Sequence, residues 1–411
     1  MVKERRKTIV VGGGASGMMA AISAARQGSK VVLLERKDSL GKKILVTGNG
    51  RCNFTNRKQT PLEGCYRTEQ QGFPKAVLEQ FSLEDTLSFF SELGMQIKEK
   101  NGYFYPFSGQ ASTLLLLLRK ELERLRVVVE TKAMVQRIED KEDGLACFLE
   151  DGRVFSGKQV VLSAGSMAAP KTGSDGNGYS LAAKLGHCLI SPLPALCPIE
   201  GKDGYGSGVL KGMAGVRTDA CLRLFVGEQL CFEERGELQM VEYGISGIPV
   251  FQFSRYAVRA FEKGERVWVE IDFLPDLDWD RVLEVVLRQI KHYRKTVREA
   301  LSGMLNEKVV LGILACAGIL GAERTLKEEQ IERLKGCIKR FLVIMTGYRG
   351  FEQAQVCSGG VDTREVNEYT LESKKISGLY FAGEILDVDG ACGGYNLQWA
   401  WSSGFLAGKG L

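Results

Sequence analysis

The stretch "TIVVGGGASGMMAAISAARQGSKVVLLER", Thr8 to Arg36, decides the fold. A short β-branched strand, Thr8 to Val11, runs into Gly12, Gly14 and Gly17 at G-x-G-x-x-G spacing. The segment from Met18 to Arg26 is Ala-rich and helical in composition, and Gly28 stops it. A second strand, Lys30 to Leu34, ends at Glu35. Each part has a physical reason. Gly12 permits the tight turn, Gly14 lets the backbone around Ala15 and Ser16 approach a pyrophosphate, and Gly17 lets the helix pack closely on the strand. The helix N-terminus turns unpaired N–H groups and partial positive charge toward phosphate. Glu35, with Arg36 beside it, follows about 20 residues later, where an acid bonds ribose hydroxyls. The glycine pattern alone is weak, since an ordinary glycine turn gives the same letters. The strand–loop–helix–strand–acid context makes it specific. An acid at position 35 favours a ribose with a free 2′-OH, hence FAD or NAD rather than NADP.

The next segment separates those two. "GKKILVTGNGRCNFTN", Gly41 to Asn56, reads as a long polar loop rather than the next helix and strand of an NAD domain. Such a loop suits the larger ligand, FAD. Lys42, Lys43 and Arg51 offer positive charge along a pyrophosphate. Thr47, Gly48, Gly50, Cys52 and Asn53 complete a segment that reaches toward an isoalloxazine ring. A solvated basic loop is the competing reading. Two further segments return to the same sheet. Val160 to His187 is a strand, a small-residue turn at Ala164 and Gly165, a polar loop and a short helix. Gly378 to Gly408 is a strand, Gly383-Glu384, a loop ending at Gly394, and an apolar helix over Leu397 to Leu406. Asn396, Leu397 and Gln398 open that helix. Its first N–H groups suit the negative edge of a reduced flavin.

These motifs resemble the YhiN/BaiN-type NAD(P)/FAD-dependent oxidoreductases, also labelled aminoacetone-oxidase-like, within the two-dinucleotide-domain flavoproteins. The resemblance rests on "GGGASG", "GKKILVTGNGRCNFTN", "SAGSMAAPKTGSDGNGY", "GISGIPVFQFSR" and "TLESKKISGLYFAGEILDVDGACGGYNLQWAWSSG". It covers nearly the whole chain. It implies non-covalent FAD and an α/β fold: a Rossmann-like FAD-binding domain split in sequence, with an inserted β-barrel and a helical subdomain. The divisions expected are 1–190 and 346–411 for the FAD domain, 191–245 for the barrel and 246–345 for the helices. Alternating strand patterns support the barrel, and i, i+3, i+4 spacing supports the helices. Many relatives carry Thr-His before the G-x-S-G segment; this chain has Val241-Glu242-Tyr243. Many place Pro directly after its second glycine, where Ile248 stands here.

Composition narrows the classes. The net charge of +5 over 411 residues is no case for nucleic-acid binding. The 49 glycines exceed the average share of about 7%, which fits tight turns and close ligand approach. Eleven cysteines with no C-x-x-C pair, and only His187 and His292, build no zinc site and no disulfide-reductase motif. They read as reduced thiols of a cytoplasmic protein. Lys3, Arg5, Arg6 and Lys7 lead into a strand, not a cleavage site. The run Leu114 to Leu118 is too short to span a bilayer and reads as a buried helix face. His187 and His292 read as structural or surface residues rather than catalytic ones, and no Ser-His-Asp arrangement is evident. Candidate catalytic residues are Cys52, Tyr395 and Asn396. Cys52 would be redox-active if Arg51 lowered its pKa, and a small buried cysteine is the alternative. Trp399 and Trp401 read as helix packing.

The expected activity is hydride transfer from NADH or NADPH to FAD, then reduction of a small organic substrate. The resemblance points to an enone-like C=C bond of a 3-dehydro-bile-acid type steroid. No second G-x-G-x-x-G provides a standard Rossmann site for the nicotinamide. One alternative is an amine or aminoketone oxidase using oxygen. Another is a flavin-bearing RNA-binding or tRNA-modifying protein, which no basic–aromatic stripe supports. Nothing in the sequence assigns an oligomeric state.

Overall fold

The computed structural model describes residues 7–58 and 62–410. Lys3, Arg5 and Arg6 lie outside the described residues. The chain divides into two units, Met1–Leu193 with Gln355–Leu411, and Pro194–Ala354.

The first unit is built on a five-stranded sheet. Its elements in chain order are β1 (Lys7–Val11), α1 (Ala15–Arg26), β2 (Lys30–Leu34), β3 (Val128–Glu130), β4 (Gln159–Leu162), α2 (Asn177–Lys184), β5 (Leu379–Phe381) and α3 (Tyr395–Lys409). The spatial order is β5-β4-β1-β2-β3, and every pairing is parallel. Val10 lies in register with Leu33 on one side and Val161 on the other. Both faces are covered, so the strands are near-continuous β-branched and Leu runs; Ile9, Val10, Leu33 and Val160 are fully buried. The strand order reverses between β1 and β4, which places the ligand crevice at the carboxyl ends of these strands. Gly12, Ser163 and Ala382 follow directly at the ends of β1, β4 and β5. The three glycine-rich segments therefore converge there.

Helices α1 and α3 lie against each other over small residues. A Cβ at Gly404 would lie 2.4 Å from Ser16 O, and one at Gly408 would lie 2.2 Å from Ala20 O. The leucine run falls on the helix Ala111–Arg124, with Leu114, Leu115 and Leu118 buried and Leu116 exposed. Among the described residues no helix is long and apolar enough to cross a membrane.

The second unit holds a closed six-stranded antiparallel barrel. Its order is Ile199–Asp203, Gly244–Gly247, Gln229–Val241, Arg217–Val226, Val267–Asp272 and Phe341–Tyr348. Val267–Asp272 falls inside the 246–345 segment expected to be helical, and Phe341–Tyr348 begins in it and runs past its end into the range expected for the FAD domain. Val267, Val269 and Ile271 are buried in alternation, as are Phe341, Val343 and Met345. Each stretch is short and abuts a helix, so its period of two is absorbed into the helical pattern beside it. The helix Glu328–Lys339 ends before Phe341 rather than running through to Met345. Helices Ile248–Glu262, Trp279–Tyr293, Val297–Leu301 and Glu307–Ala317 supply the rest.

Candidate functional site

The turn after β1 separates two demands on glycine. Gly12 has φ +106°, and a Cβ there would lie 2.5 Å from Ser163 O. A Cβ at Gly17 would lie 1.8 Å from Gly12 O. Both are required by packing. Gly14 has an ordinary φ of −79°, and its Cβ position has no heavy atom within 4 Å. Here the glycine opens space instead. The first intrahelical bond of α1 runs from Met18 N–H to Gly14 O, 3.0 Å. The amides of Ala15, Ser16 and Gly17 are thus outside the helical ladder, and no acidic residue occupies the first turn.

Glu35 is buried beside this turn. One carboxylate oxygen accepts Gly13 N–H at 2.7 Å and the other accepts Lys37 N–H at 2.7 Å. A carboxylate has about four acceptor positions, so two remain for hydroxyl donors. Arg36 pairs with Asp175 in the second glycine-rich segment. Ser163 Oγ donates toward Val11 O and Gly12 O, at 3.0 and 3.2 Å, and stitches that segment to the first. Ala164 is half-buried, and Gly165 adopts φ +77°, where a Cβ would lie 2.6 Å from Ser174 Oγ.

The third segment closes on the same place. Gly383 has φ +80°, and a Cβ there would lie 2.3 Å from Ser16 Oγ. Its N–H donates to Ser403 Oγ at 2.9 Å, and Trp399 Nε1–H donates to its carbonyl at 3.0 Å. Lys43 Nζ lies 2.6 Å from Glu384 Oε2. Lys42 diverges from Lys43 and pairs with Asp38 at 2.7 Å.

The 41–56 stretch is not an open loop: Lys42–Val46 forms a short helix and 47–53 a tight coil. Thr47 Oγ1 donates to Ile44 O at 2.6 Å, and Gly48 and Gly50 have φ +54° and +83°. Arg51 is exposed. Cys52 is fully buried, and burial pushes its thiol up to about 11. A redox thiolate needs the opposite shift, so Cys52 is a packing residue here. Burial pushes the Cys392 thiol up to about 11 as well. Asn53 Oδ1 is buried with no hydrogen-bond partner among the described residues. It sits 2.9 Å from the point a Gly394 Cβ would occupy, and Gly394 caps α3 at φ +93°. An unmet acceptor at a helix start is what a missing ligand donor leaves behind.

The opening residues of α3 do other work than the sequence suggests. Tyr395 is buried and its hydroxyl donates to Lys58 O at 2.5 Å, while its carbonyl accepts Tyr66 O–H at 3.1 Å. Asn396 clamps the preceding loop: Oδ1 accepts Gly390 N–H at 2.8 Å, and Nδ2 donates to Gly390 O and Ala391 O at 2.9 and 3.3 Å. Gln398 is fully buried between Thr55, Thr86 and Ser402. The side chains of all three are engaged by protein, because buried polar turns nearby need partners, which leaves only backbone amides at this helix start for a ligand. Leu397 is half-buried. Trp399 and Trp401 are packed inside, and Trp401 Nε1–H donates to Phe54 O at 3.0 Å.

One arrangement is not visible in the sequence. His187 Nε2 lies 2.9 Å from Ser373 Oγ, and Nδ1 lies 3.2 Å from Glu365 Oε2. The geometry imitates a hydrolase triad. Ser373 Oγ, however, already accepts N–H groups from Lys375 and Ile376 at 3.0 and 2.9 Å. With both lone pairs engaged it is no nucleophile. Burial pushes His187 below the ordinary imidazole value, and the trio fastens the chain before β5. Among the described residues no group of His, Cys, Asp and Glu could hold a metal ion.

The open space at Gly14, the amides of α1, the half-satisfied Glu35 and the unmet Asn53 fit a dinucleotide. Comparison with known proteins agrees in kind. A family model described as HI0933-like protein Rossmann domain matches residues 6–410. The 3-dehydro-bile acid delta(4,6)-reductase of Clostridium scindens is 42% identical over 395 residues, covering 95% of each chain. Ribosomal RNA dihydrouridine synthases of Haemophilus influenzae and Escherichia coli are each 29% identical, over 94% of this chain and 93% of theirs.

Proposed function

The chain belongs to the HI0933-like Rossmann family of flavoprotein oxidoreductases, and from that membership we propose that it is an NAD(P)H-linked reductase of a small, enone-like substrate. The observation that carries the reading is the 42% identity, along 95% of both chains, to a bile acid reductase. Bound FAD supplies a two-electron carrier that accepts and donates hydride. The chain's own residues bind and orient it without a covalent link. The amides of Ala15, Ser16 and Gly17 would hold the diphosphate across the space at Gly14. Glu35 would accept ribose hydroxyls on its two open positions. Asn53 and the first amides of α3 would hold the ring, and Gly48, Gly50 and Arg51 would lie along the cofactor. Neither Cys52 nor Cys392 takes part as a thiolate, since burial holds both neutral at pH 7.

The test is anaerobic mixing of FAD-loaded protein with NADH and with NADPH, followed at the flavin absorbance. Bleaching by either donor, then recovery of the yellow colour on adding a 3-oxo-4,6-diene steroid, is the expected outcome. No bleaching by either sinks the NAD(P)H-linked reading.

A second reading is favoured by the two dihydrouridine synthases at 29% identity. Their product is uridine reduced at C5=C6, a double bond conjugated to a carbonyl like that of an enone. Both chemistries need hydride at the far carbon and a proton at the near one. Recovery of the yellow colour with an unmodified ribosomal RNA transcript, and not with the steroid, would move the substrate to RNA.

A further inference from the structure

The paired charges of Lys43 and Glu384 are 341 residues apart in sequence and meet beside the first turn of α1. Glu384 Oε2 accepts Lys43 Nζ at 2.6 Å, and Oε1 accepts Ser166 Oγ at 2.8 Å and Cys357 N–H at 3.1 Å. Lys43 Nζ also donates to Ala168 O at 3.3 Å. One carboxylate on the third glycine-rich segment thus ties together the 41–56 stretch, the second glycine-rich segment and the strand Val356–Val361. Both side chains are mostly buried, at 28% and 19% exposed. The preceding residue, Gly383, packs against Ser16, whose Oγ donates to Ala382 O at 3.3 Å. The turn that carries Glu384 therefore lies against the amides that face the diphosphate.

This is an awkward place for a carboxylate. A fixed negative charge next to an anionic ligand repels it, and partial burial strengthens that repulsion while leaving it open to partial screening by salt. Lys43 removes that problem. We propose that Lys43 is a positioning residue whose ammonium cancels the Glu384 carboxylate, so that Glu384 can brace the segments it joins without repelling the FAD diphosphate. This rests on the FAD reading above. It differs from a direct phosphate contact by Lys43, since Glu384 and the Ala168 carbonyl already engage two of the three ammonium N–H groups. It also makes a signed statement: once Lys43 is gone, the harm to binding comes from Glu384, so removing the second charge relieves it.

The experiment is FAD titration of flavin-free wild type, Lys43→Met, and the double variant Lys43→Met/Glu384→Gln, at low and high salt. Gln keeps the Oε1 acceptor for Ser166 and Cys357 and lacks the charge. Lys43→Met is expected to weaken FAD binding at least about tenfold at low salt, because it leaves a partly buried carboxylate unpaired. The double variant is expected to recover about tenfold over Lys43→Met, and the loss in Lys43→Met is expected to shrink as salt rises. A brace that is only structural predicts the reverse, since each change would add damage and salt would not matter. A double variant that binds FAD no more tightly than Lys43→Met overturns the proposal. So does Lys43→Met binding like wild type. Variants that fail to fold are recognised by melting of the flavin-free protein, and Lys43→Arg, which keeps the charge, then carries the test: it must bind FAD within about threefold of wild type. A wild-type chain that takes up no FAD overturns the FAD reading itself, and this inference with it.

Discussion

An alanine at Gly12 would have to hold φ +106° with its Cβ 2.5 Å from a backbone carbonyl, whereas one at Gly14 would meet nothing within 4 Å. The two glycines look alike in the motif and fail differently. Gly12→Ala is expected to lower the stability of the flavin-free protein by about 3 kcal/mol or more, through strain and overlap. Gly14→Ala is expected to lower that stability by only about 1 kcal/mol, since alanine is a poorer N-cap than glycine, and to weaken FAD binding about tenfold. Urea unfolding without FAD and titration with FAD separate the two; equal unfolding curves would contradict the distinction. Cys52 offers a second test at this scale. Burial raises its thiol from an ordinary value of 9.0 to about 11. The folded state holds the proton more tightly than the unfolded state. The associated stability is therefore complete below about pH 9 and is lost as pH rises through about 11. The stability difference between wild type and Cys52→Ala, measured by urea unfolding, is expected to narrow over that window. Below about pH 8, native Cys52 should react with iodoacetamide about 100-fold more slowly than the exposed Cys231.

Helices α1 and α3 show how an element's composition answers to its partner. Alanine normally stabilises a helix interior by about 1 kcal/mol over glycine. Gly336, in the helix Glu328–Lys339, has open space at its Cβ position, so Gly336→Ala is expected to gain about 0.5–1 kcal/mol. Gly408→Ala has the same propensity gain but places its Cβ 2.2 Å from Ala20 O, and is expected to lose about 2 kcal/mol or more. Chemical unfolding of the two variants should give opposite signs; a stabilised Gly408→Ala would mean that the helices separate at little cost. The same pair of helices explains what is legible in the sequence. The strand–turn–helix of Thr8 to Arg26 is local, so spacing alone reveals it. The four-residue interval of Gly404 and Gly408 announces a close approach without naming Ser16 and Ala20, nearly 400 residues away. Lys43 and Glu384 each look like a group facing a cofactor, because neither residue's sequence neighbourhood contains the other. Tyr395, Asn396 and Gln398 mislead for a related reason. Polar groups in a glycine motif look available, and only the packed structure shows the turns that engage them.

For the whole molecule, the route of the chain between its units is informative. It leaves the first unit along the strand Leu189–Ala195 and returns along Val356–Val361, and these two strands pair with each other. Asp362 N–H donates to Cys188 O at 3.0 Å, and Gly359, at φ +94°, lies directly against Ser191 O. The two crossings are therefore held side by side by the first unit's own hydrogen bonds. The parallel sheet, α1, α3 and every group assigned here to FAD lie in Met1–Leu193 and Gln355–Leu411. Closing adjacent strand ends with a short flexible loop adds little entropic cost, since that cost grows only slowly with loop length. Replacing residues 194–354 by a four- to six-residue Gly/Ser linker, about the length of an ordinary hairpin connection, is expected to give a folded protein that still turns yellow with FAD. Near-stoichiometric flavin, with a single cooperative melt that rises when FAD is added, is the supporting result. A protein that folds but takes up no flavin would mean that the 194–354 unit contributes groups to the cofactor, and the assignment made from the glycine-rich segments would then have to be extended to it.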